Sequence, residues 1–418
     1  HQPPKLVGFA PDFLRVDAGI TPTLTVTMEF WAITSQVIGG RFLLTNNGKS
    51  AQEIRLDLNM QAAREGAAMQ MIYLTLSDGL SALQMGRLRD FQPVMLLQDG
   101  IDGGSRSALA HSLTLEPGQF TDVRWTLAGM PERNDSLATA HQWLTQADWG
   151  AQIARLQKRA DDAPQIETGH ADWDAALAWS QQTVMRSVLG ATGSLPYPSF
   201  VNARTPAHGF TTSTHAGGFH AAWGGQSPID ALIIASTLAQ GAPGIAQGIV
   251  GNFLAVQRDD GWIDARPGLD GQRVNVLAAP VLAQLTLATY HYTRDQKFIS
   301  ESLDKLVKFF LRWSAEDCDA DGDGLPEWTV IGQGAFEDSP TLAQNRRWSQ
   351  GIDVAAVEAP DLAAYLVREA RSLITMAEIL ERDDVVSQIT SRYDALAEHL
   401  RDMWNLETGR FAYRDRDT

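Results

Sequence analysis

The stretch Asp317-Cys-Asp-Ala-Asp-Gly-Asp-Gly-Leu-Pro-Glu-Trp328, followed closely by Gly334-Ala-Phe-Glu-Asp-Ser-Pro340, joins two acidic segments of different character. In the first, carboxylates alternate with small residues, a pattern that suits a hard cation. In the second, the adjacent carboxylates Glu337 and Asp338 follow an aromatic residue, Phe336, between a glycine and a proline. Positioned carboxylates serve as acids and bases in enzymes, so this second segment is a candidate catalytic loop.

The first segment offers a set of hard oxygen ligands at alternating positions. Its pattern begins like an EF-hand loop, with Gly322 at the sixth position, but the last carboxylate falls one residue short of the twelfth. We therefore expect a structural Ca²⁺ and no organic cofactor. The alternative is an acidic turn in which glycines supply positive φ and aspartates cap nearby backbone groups. The predicted ligands are Asp317, Asp319, Asp321, Asp323 and Glu327.

Length and charge limit the function. A chain of 418 residues is expected to form two domains. Its formal net charge of -16 opposes binding to nucleic acid, whereas neutral carbohydrate is compatible with it.

The single cysteine, Cys318, excludes an intrachain disulfide, and no apolar run is long enough to span a membrane. The start, His1-Gln-Pro-Pro4, has neither an initiator Met nor a signal pattern, so we expect a trimmed N-terminus and a cytoplasmic protein.

Residues 1–135 are predicted to form an antiparallel β-sandwich. Thr23-Leu-Thr-Val-Thr-Met-Glu-Phe-Trp31 alternates polar and apolar residues, as a half-buried strand does. Asn46-Asn-Gly48 is a turn signal between two such segments, which indicates a hairpin. Residues 136–168, rich in Ala and Gln, are predicted to be a helical linker.

Residues 169–418 are predicted to be helical hairpins joined by long loops rich in glycine, proline and aromatic residues. Leu303, Leu306, Val307 and Phe310, for example, share one helical face. We expect helices near 229–238, 245–256, 277–292, 298–313, 362–380 and 385–404, about seven in all with the one near residue 173. Successive hairpins of this kind fit a toroid of paired helices, of which this chain would form the first part.

Four segments together resemble the inverting α-glycosidases built on an (α/α)6 toroid. That group includes mannosylglycerate hydrolase, processing α-glucosidase I and trehalase. The segments are a helix end with the Asp260-Gly-Trp-Ile263 loop, the acidic loop, the Phe336-Glu-Asp-Ser-Pro340 segment, and the hairpin over residues 360–409. The order and spacing of the four carry the resemblance, and each of them alone is weak.

The resemblance implies a hydrolase of O-glycosyl bonds acting on a small α-glucoside or α-mannoside. It assigns Glu337 as the general acid, with Asp338 orienting the loop or contacting a sugar hydroxyl. It also implies that the general base, and a second half of the toroid, come from beyond Thr418 or from a partner chain. The substrate-binding residues it implies are Trp223, Gln226, Gln257, Trp262 and Phe336.

Two departures from the family pattern and several alternatives remain. The family's acid is usually Asp, and its Trp-Asp pair is replaced here by Trp223-Gly-Gly-Gln-Ser227. The alternatives are a debranching-type glucosidase or trehalase, a polysaccharide lyase on a similar toroid, or a catalytically silent carbohydrate-binding toroid. Asp361, at the start of a predicted helix, is expected to cap that helix.

Overall fold

The computed structural model describes residues 2–10, 12–60, 71–76, 79–88, 91–104, 107–146, 148–161, 165–204, 210–211, 223–269, 271–330, 333–334 and 354–416. The chain divides into two compact units, His1–Met185 and Arg186–Thr418. We refer to them as the sheet unit and the helical unit. Three helices precede this division, and the domain bounds predicted from the sequence stay a prediction.

Two antiparallel sheets make up most of the described sheet unit. The larger has the strand order β1-β2-β3-β4-β11-β8-β7-β6, and the smaller has the order β5-β10-β9. The strands are β1 (Gln2–Ala10), β2 (Phe13–Thr21), β3 (Leu24–Thr34), β4 (Val37–Asn46), β5 (Gln52–Asn59), β6 (Ile72–Thr75), β7 (Ser81–Gln84), β8 (Val94–Leu97), β9 (Ile101–Asp102), β10 (Ala108–Leu115) and β11 (Phe120–Ala128).

The two sheets share one apolar core. Alternate residues of β3, such as Leu24 and Val26, are buried, as the polar–apolar alternation of this strand predicts. They join Leu44 of β4 in a cluster that also contains Leu109 and Leu115 of β10 in the second sheet. The predicted antiparallel β region at the N-terminus is therefore confirmed.

The segment predicted as a helical linker packs on the large sheet instead of standing apart from it. It forms two helices, α1 (Arg133–Gln146) and α2 (Trp149–Asp161), and Asp148 between them accepts a hydrogen bond from the Ala151 backbone at 2.9 Å. Ala140 and Leu144 of α1 pack against β8, and Trp149 of α2 packs edge-on against Trp31. Burial of these apolar faces explains why the helices adhere to the sheet. A third helix, α3 (Ala171–Arg186), completes the unit.

The helical unit contains three consecutive hairpins among its described residues. Within each hairpin the two helices are joined by a short turn, whereas long connections separate one hairpin from the next. The helices are α4 (Pro228–Leu238), α5 (Pro243–Ala255), α6 (Leu282–Thr293), α7 (Gln296–Arg312), α8 (Pro360–Ile379) and α9 (Asp383–Asp402). Short strand pairs decorate the connections: β12 (Val188–Leu189), β13 (Ser199–Phe200), β14 (Asn202–Arg204), β15 (Phe210–Thr211), β16 (Trp223–Gly225), β17 (Gln272–Arg273), β18 (Val357–Glu358), β19 (Trp404–Asn405), β20 (Arg410–Phe411) and β21 (Arg414–Asp415).

The hairpins bury one continuous apolar core. In α7 the buried residues Ile299, Leu303, Leu306 and Phe310 recur every three or four positions, so one stripe of the helix faces the core. First helices of successive hairpins contact each other, α4 with α6 and α6 with α8. The predicted succession of helical hairpins after a β region is confirmed. Among the described helices, none combines the length and the apolar content that crossing a membrane requires.

Candidate active site and acidic loop

The long connections before α4, α6 and α8 contact one another. The Gln226 backbone donates to the Pro267 carbonyl at 3.1 Å, and Gly225 forms a β-bridge with Gly268. The side chain of Gln333 donates to the Leu277 carbonyl at 2.8 Å. Loops that precede three neighbouring helices therefore meet, and the sequence-predicted site residues lie on these loops.

Gln226, predicted to bind substrate, is buried and its amide is occupied by protein partners. Its Nε2 donates to the Ile249 carbonyl at 2.9 Å, and its Oε1 accepts from Ser199 and from Asn252. These bonds tie the connection before α4 to α5. In this structure Gln226 has a packing role, and its contact with a sugar stays a prediction.

Gln257 and Trp262 also make contacts that sequence reasoning did not anticipate. Gln257 donates through Nε2 to the Lys305 carbonyl at 2.8 Å, which holds the turn after α5 against α7. The guanidinium carbons of Arg258 and Arg312 each lie 5.2 Å from the Trp262 ring centroid. The indole is therefore covered by cations, a favourable arrangement for its π face. Its role in binding a sugar stays a prediction.

The acidic loop brings three of the five predicted metal ligands together. Carboxylate oxygens of Asp319, Asp321 and Asp323 all lie within 4.8 Å of one another. Gly322 and Gly324 both have positive φ, at 73° and 96°, which lets the loop curl around these side chains. The loop also satisfies its own backbone, since the Leu325 amide donates to Asp323 at 2.7 Å.

The other two predicted ligands have different surroundings. Asp317 is paired with Arg312, whose two terminal nitrogens lie 2.6 and 2.7 Å from its oxygens, and this pairing lowers the pKa of Asp317. Glu327 is only 3% exposed, and its Oε1 has no hydrogen-bond partner among the described residues. Burial, together with the charges of Asp321 and Asp319, raises the pKa of Glu327, while the Ala320 amide opposes the rise.

Arginines surround the acidic loop on its other sides. Arg392 of α9 lies near Gly324 and interacts electrostatically with Asp319 and Asp323. A nitrogen of Arg416 lies 3.9 Å from Glu327 Oε1, and the Arg416 side chain also donates to the Ala355 carbonyl. Arg416 directly follows strand β21, which pairs with β18. The end of β21 therefore lies beside the acidic loop. These cations partly balance a group of carboxylates that would otherwise repel one another.

Asp361 links three distant segments instead of capping its helix. The N-cap of α8 is Ala359, with Pro360 in the first turn. The Asp361 carboxylate accepts from Trp328 Nε1 at 3.0 Å and from the Tyr413 hydroxyl at 3.1 Å. The expectation that Asp361 caps the helix is therefore wrong, because Pro360 starts the helix and the carboxylate is used for tertiary hydrogen bonds.

Glu369 of α8 is a fully buried carboxylate that sequence reasoning missed. Its oxygens accept from the backbone amides of Ala283 and Gln284 at 2.6 and 3.0 Å, so it caps the N-terminus of α6 from a neighbouring helix. Burial raises the pKa of Glu369 to about 7, against the lowering effect of the amides. A signal was present, because Glu369 falls on the apolar stripe formed by Leu362, Leu366 and Leu373.

The remaining predicted site residues lie outside the described residues. These are Phe336, Glu337 and Asp338. The backbone of Trp223 is described and pairs with Arg204 in the β14–β16 ladder, but its side chain is not. The roles assigned to these four residues stay predictions.

The described residues thus form an antiparallel β region followed by helical hairpins, with long loops meeting before the first helix of each hairpin. Residues 224–418 match one family model, the mannosylglycerate hydrolase MGH1-like glycoside hydrolase domain. The resemblance predicted from the sequence motifs is therefore confirmed: this part of the chain is similar to a glycoside hydrolase domain. No curated protein sequence matches the chain.

Two of the solved structures that are similar to this chain have low sequence identity to it, and the first shows a shared fold. One is described as a kojibiose phosphorylase from the human microbiome, with a TM-score of 0.58 and 10% identity over 96% of this chain. Another is a bacterial glucoamylase complexed with acarbose, with a TM-score of 0.49 and 10% identity over 94% of this chain. This chain spans 56% and 58% of the lengths of those two chains.

Proposed function

We propose that the helical unit belongs to an inverting α-glycosidase that acts on a small α-glucoside or α-mannoside, such as an oligosaccharide or a mannosylglycerate-like compound. The observation that carries the proposal is the match of residues 224–418 to a glycoside hydrolase domain model. The meeting of the loops before α4, α6 and α8 supports it, since a substrate must be contacted from several segments at once.

In this proposal Glu337 is the general acid. It protonates the glycosidic oxygen as the bond to the anomeric carbon breaks, while a water activated by a carboxylate base attacks from the opposite face. The acid and base of an inverting enzyme are roughly 6.5–9.5 Å apart, a gap that two residues adjacent in sequence seldom span. Asp338 is therefore proposed to contact the substrate or orient the loop, not to act as the base.

The test compares Glu337→Gln with Asp338→Asn in the full protein. Glu337→Gln is expected to lower turnover of substrates with poor leaving groups by several orders of magnitude, and of glycosyl fluorides or aryl glycosides much less, because good leaving groups need little protonation. Asp338→Asn is expected to raise KM more than it lowers kcat. The anomer released first, followed by NMR, reports inversion.

Each other outcome identifies a different alternative. The reverse pattern in the two variants would make Asp338 the acid. Release of a sugar phosphate only when inorganic phosphate is supplied would indicate a phosphorylase, and an unsaturated product a lyase. Binding of oligosaccharides without any turnover would favour the silent carbohydrate-binding toroid. Absence of any effect of either substitution on an active enzyme would remove this loop from the catalytic site.

We also propose that the acidic loop binds a structural Ca²⁺. Asp319, Asp321 and Asp323 supply hard oxygen ligands from one turn, as Ca²⁺ requires. Glu327 supports this assignment, since its buried Oε1 has no hydrogen-bond donor among the described residues and the Arg416 nitrogen beside it is 3.9 Å away, too far for a hydrogen bond. Asp317 is left out of the proposed ligand set because Arg312 holds both of its oxygens.

Further helical hairpins are proposed to complete the ring, either from a downstream segment or from a partner chain. A closed (α/α)6 toroid has six hairpins, and the described helices of this unit form three. Ile233 of α4 is 65% exposed, which leaves an apolar side chain on the flank of α4 uncovered. In this proposal the general base lies on one of the additional hairpins.

A further inference from the structure

The side chain of Asp361 forms hydrogen bonds with residues that are far from it in the sequence. Its two acceptor bonds reach Trp328, 33 residues earlier, and Tyr413, 52 residues later. A carboxylate that accepts from two uncharged donors forms charge-assisted bonds, which are stronger than neutral ones. The N-terminus of α8, the connection after α7 and the C-terminal segment are therefore joined at one side chain.

Trp328 is held by ring packing as well as by the hydrogen bond of its indole N–H. It is 5% exposed, and its ring lies edge-on to Trp313 at 5.8 Å and to Tyr365 at 6.3 Å between centroids. Three neighbours thus fix the plane of the indole. Loss of the hydrogen bond to Asp361 would leave the buried indole N–H unpaired. Because an unpaired buried donor is costly, the ring is then expected to reorient.

Gly334 packs directly on this ring. A Cβ at residue 334 would lie 3.0 Å from Cε2 and Cζ2 of Trp328, closer than side-chain carbons normally approach. The preceding residue, Gln333, closes the turn, since its Oε1 accepts from the Thr329 amide and hydroxyl at 2.9 and 3.0 Å. Its Nε2 bonds the Leu277 carbonyl. The backbone at residue 334 is therefore seated on the indole by contacts from both sides.

We propose that Asp361 is a positioning residue for the general acid, acting through Trp328 and Gly334. Only Ala335 and Phe336 separate Gly334 from Glu337 in the sequence, so the acid segment follows directly, in sequence, on the residue that packs on the indole. The inference rests on the proposed function in assigning Glu337 as the acid. The link from Asp361 through Trp328 to the 329–334 turn stands on the observed contacts alone.

The experiment uses Asp361→Asn, Trp328→Phe and the double variant in the full protein, with Val385→Ala as the control. Phe keeps an apolar ring beneath Gly334 but lacks the N–H. Asn keeps the shape of Asp361 but has no charge and only one acceptor oxygen for the Trp328 and Tyr413 donors, which weakens the link. Val385 is buried near the start of α9 and its side chain has no polar atom, so its truncation lowers stability without removing a hydrogen bond of the Asp361–Trp328 link. Amide hydrogen exchange of residues 329–334 is measured with turnover on poor and good leaving groups.

Asp361→Asn and Trp328→Phe are each expected to speed exchange at residues 329–334. They are also expected to lower turnover on poor leaving groups by about 10–100-fold, with a smaller loss on activated glycosides, because a displaced acid matters only where protonation is needed. The double variant is expected to be no worse than the worse single variant, because both substitutions break one link. Val385→Ala should leave the ratio between the two substrate types unchanged.

Unchanged exchange at residues 329–334 in both single variants would overturn the inference, whatever the activity. So would additive losses in the double variant, or equal losses on both substrate types. If the wild-type protein hydrolyses no glycoside, the proposed function fails by itself. The exchange rates, together with the coupling between the two substitutions measured in melting temperature, then still decide whether Asp361 acts through Trp328.

Discussion

At the scale of single residues, Glu369 combines two opposing effects. It is fully buried, which penalises its charged form, yet it accepts two backbone N–H groups, which favour that form. The balance leaves its pKa at about 7, so the residue titrates near neutral pH while capping α6. The cap lies at the N-terminus of α6, directly after the loops that meet before this helix.

Glu369→Gln is expected to remove a pH-dependent part of the stability. The pKa is higher in the folded protein than its ordinary 4.5, so this group's contribution is fully present below pH 4.5 and is lost as the pH rises through about 7. The difference corresponds to roughly 3 kcal/mol. Relative to the Gln variant, the wild-type protein should therefore lose stability between pH 4.5 and 7. Melting temperatures of both proteins at four pH values measure this, and a constant difference would contradict it.

At the scale of elements, the acidic loop makes the clearest prediction. If Ca²⁺ binds there, it stabilises the folded state by mass action, so EDTA should lower the melting temperature and added Ca²⁺ should restore it. Asp321→Ala should abolish this response. The matched control is Asp317→Ala in the same loop, whose carboxylate pairs with Arg312 and should leave the response to Ca²⁺ intact. Equal responses to EDTA in the wild-type protein and the Asp321 variant would leave only the turn interpretation.

The elements themselves were largely predictable, whereas the partners of polar side chains were not. Helices predicted at residues 298–313 and 385–404 appear at Gln296–Arg312 and Asp383–Asp402, because apolar periodicity records which face is buried. The pattern does not record which distant backbone group a buried amide finds. The family resemblance assigns Gln226 and Gln257 to substrate binding, which stays a prediction, and it did not indicate their bonds to the Ile249 and Lys305 carbonyls.

In the acidic loop, too, the sequence pattern does not reveal the partner of each polar side chain. Alternation predicted that its carboxylates converge, and three of them do. The alternation gave no reason to leave Asp317 out of the proposed Ca²⁺ ligands, because the pairing of Asp317 with Arg312 depends on where α7 ends. The sequence of residues 136–168 likewise shows that helices form but not which surface they cover.

At the scale of the whole molecule, the proposed additional hairpins have a measurable consequence. Residues 1–418 alone are expected to melt at a lower temperature than a protein that includes those hairpins, and to turn over α-glycosides poorly. Covering exposed side chains such as Ile233 would remove apolar surface from water, and in this proposal the added hairpins also supply the general base. A monomer of these 418 residues that hydrolyses an α-glycoside at an ordinary enzymatic rate would contradict this.

The strand order of the large sheet has a consequence for synthesis on the ribosome. Strands β1 to β4 pair in chain order, so they can assemble as soon as they emerge. The far side of β4 must wait for β11, which begins roughly 75 residues later. At about 5–20 residues per second, that edge stays open for about 4–15 seconds, with unpaired backbone groups available to other chains. Nascent chains stopped before residue 120 should therefore recruit chaperones more strongly than chains that extend past β11.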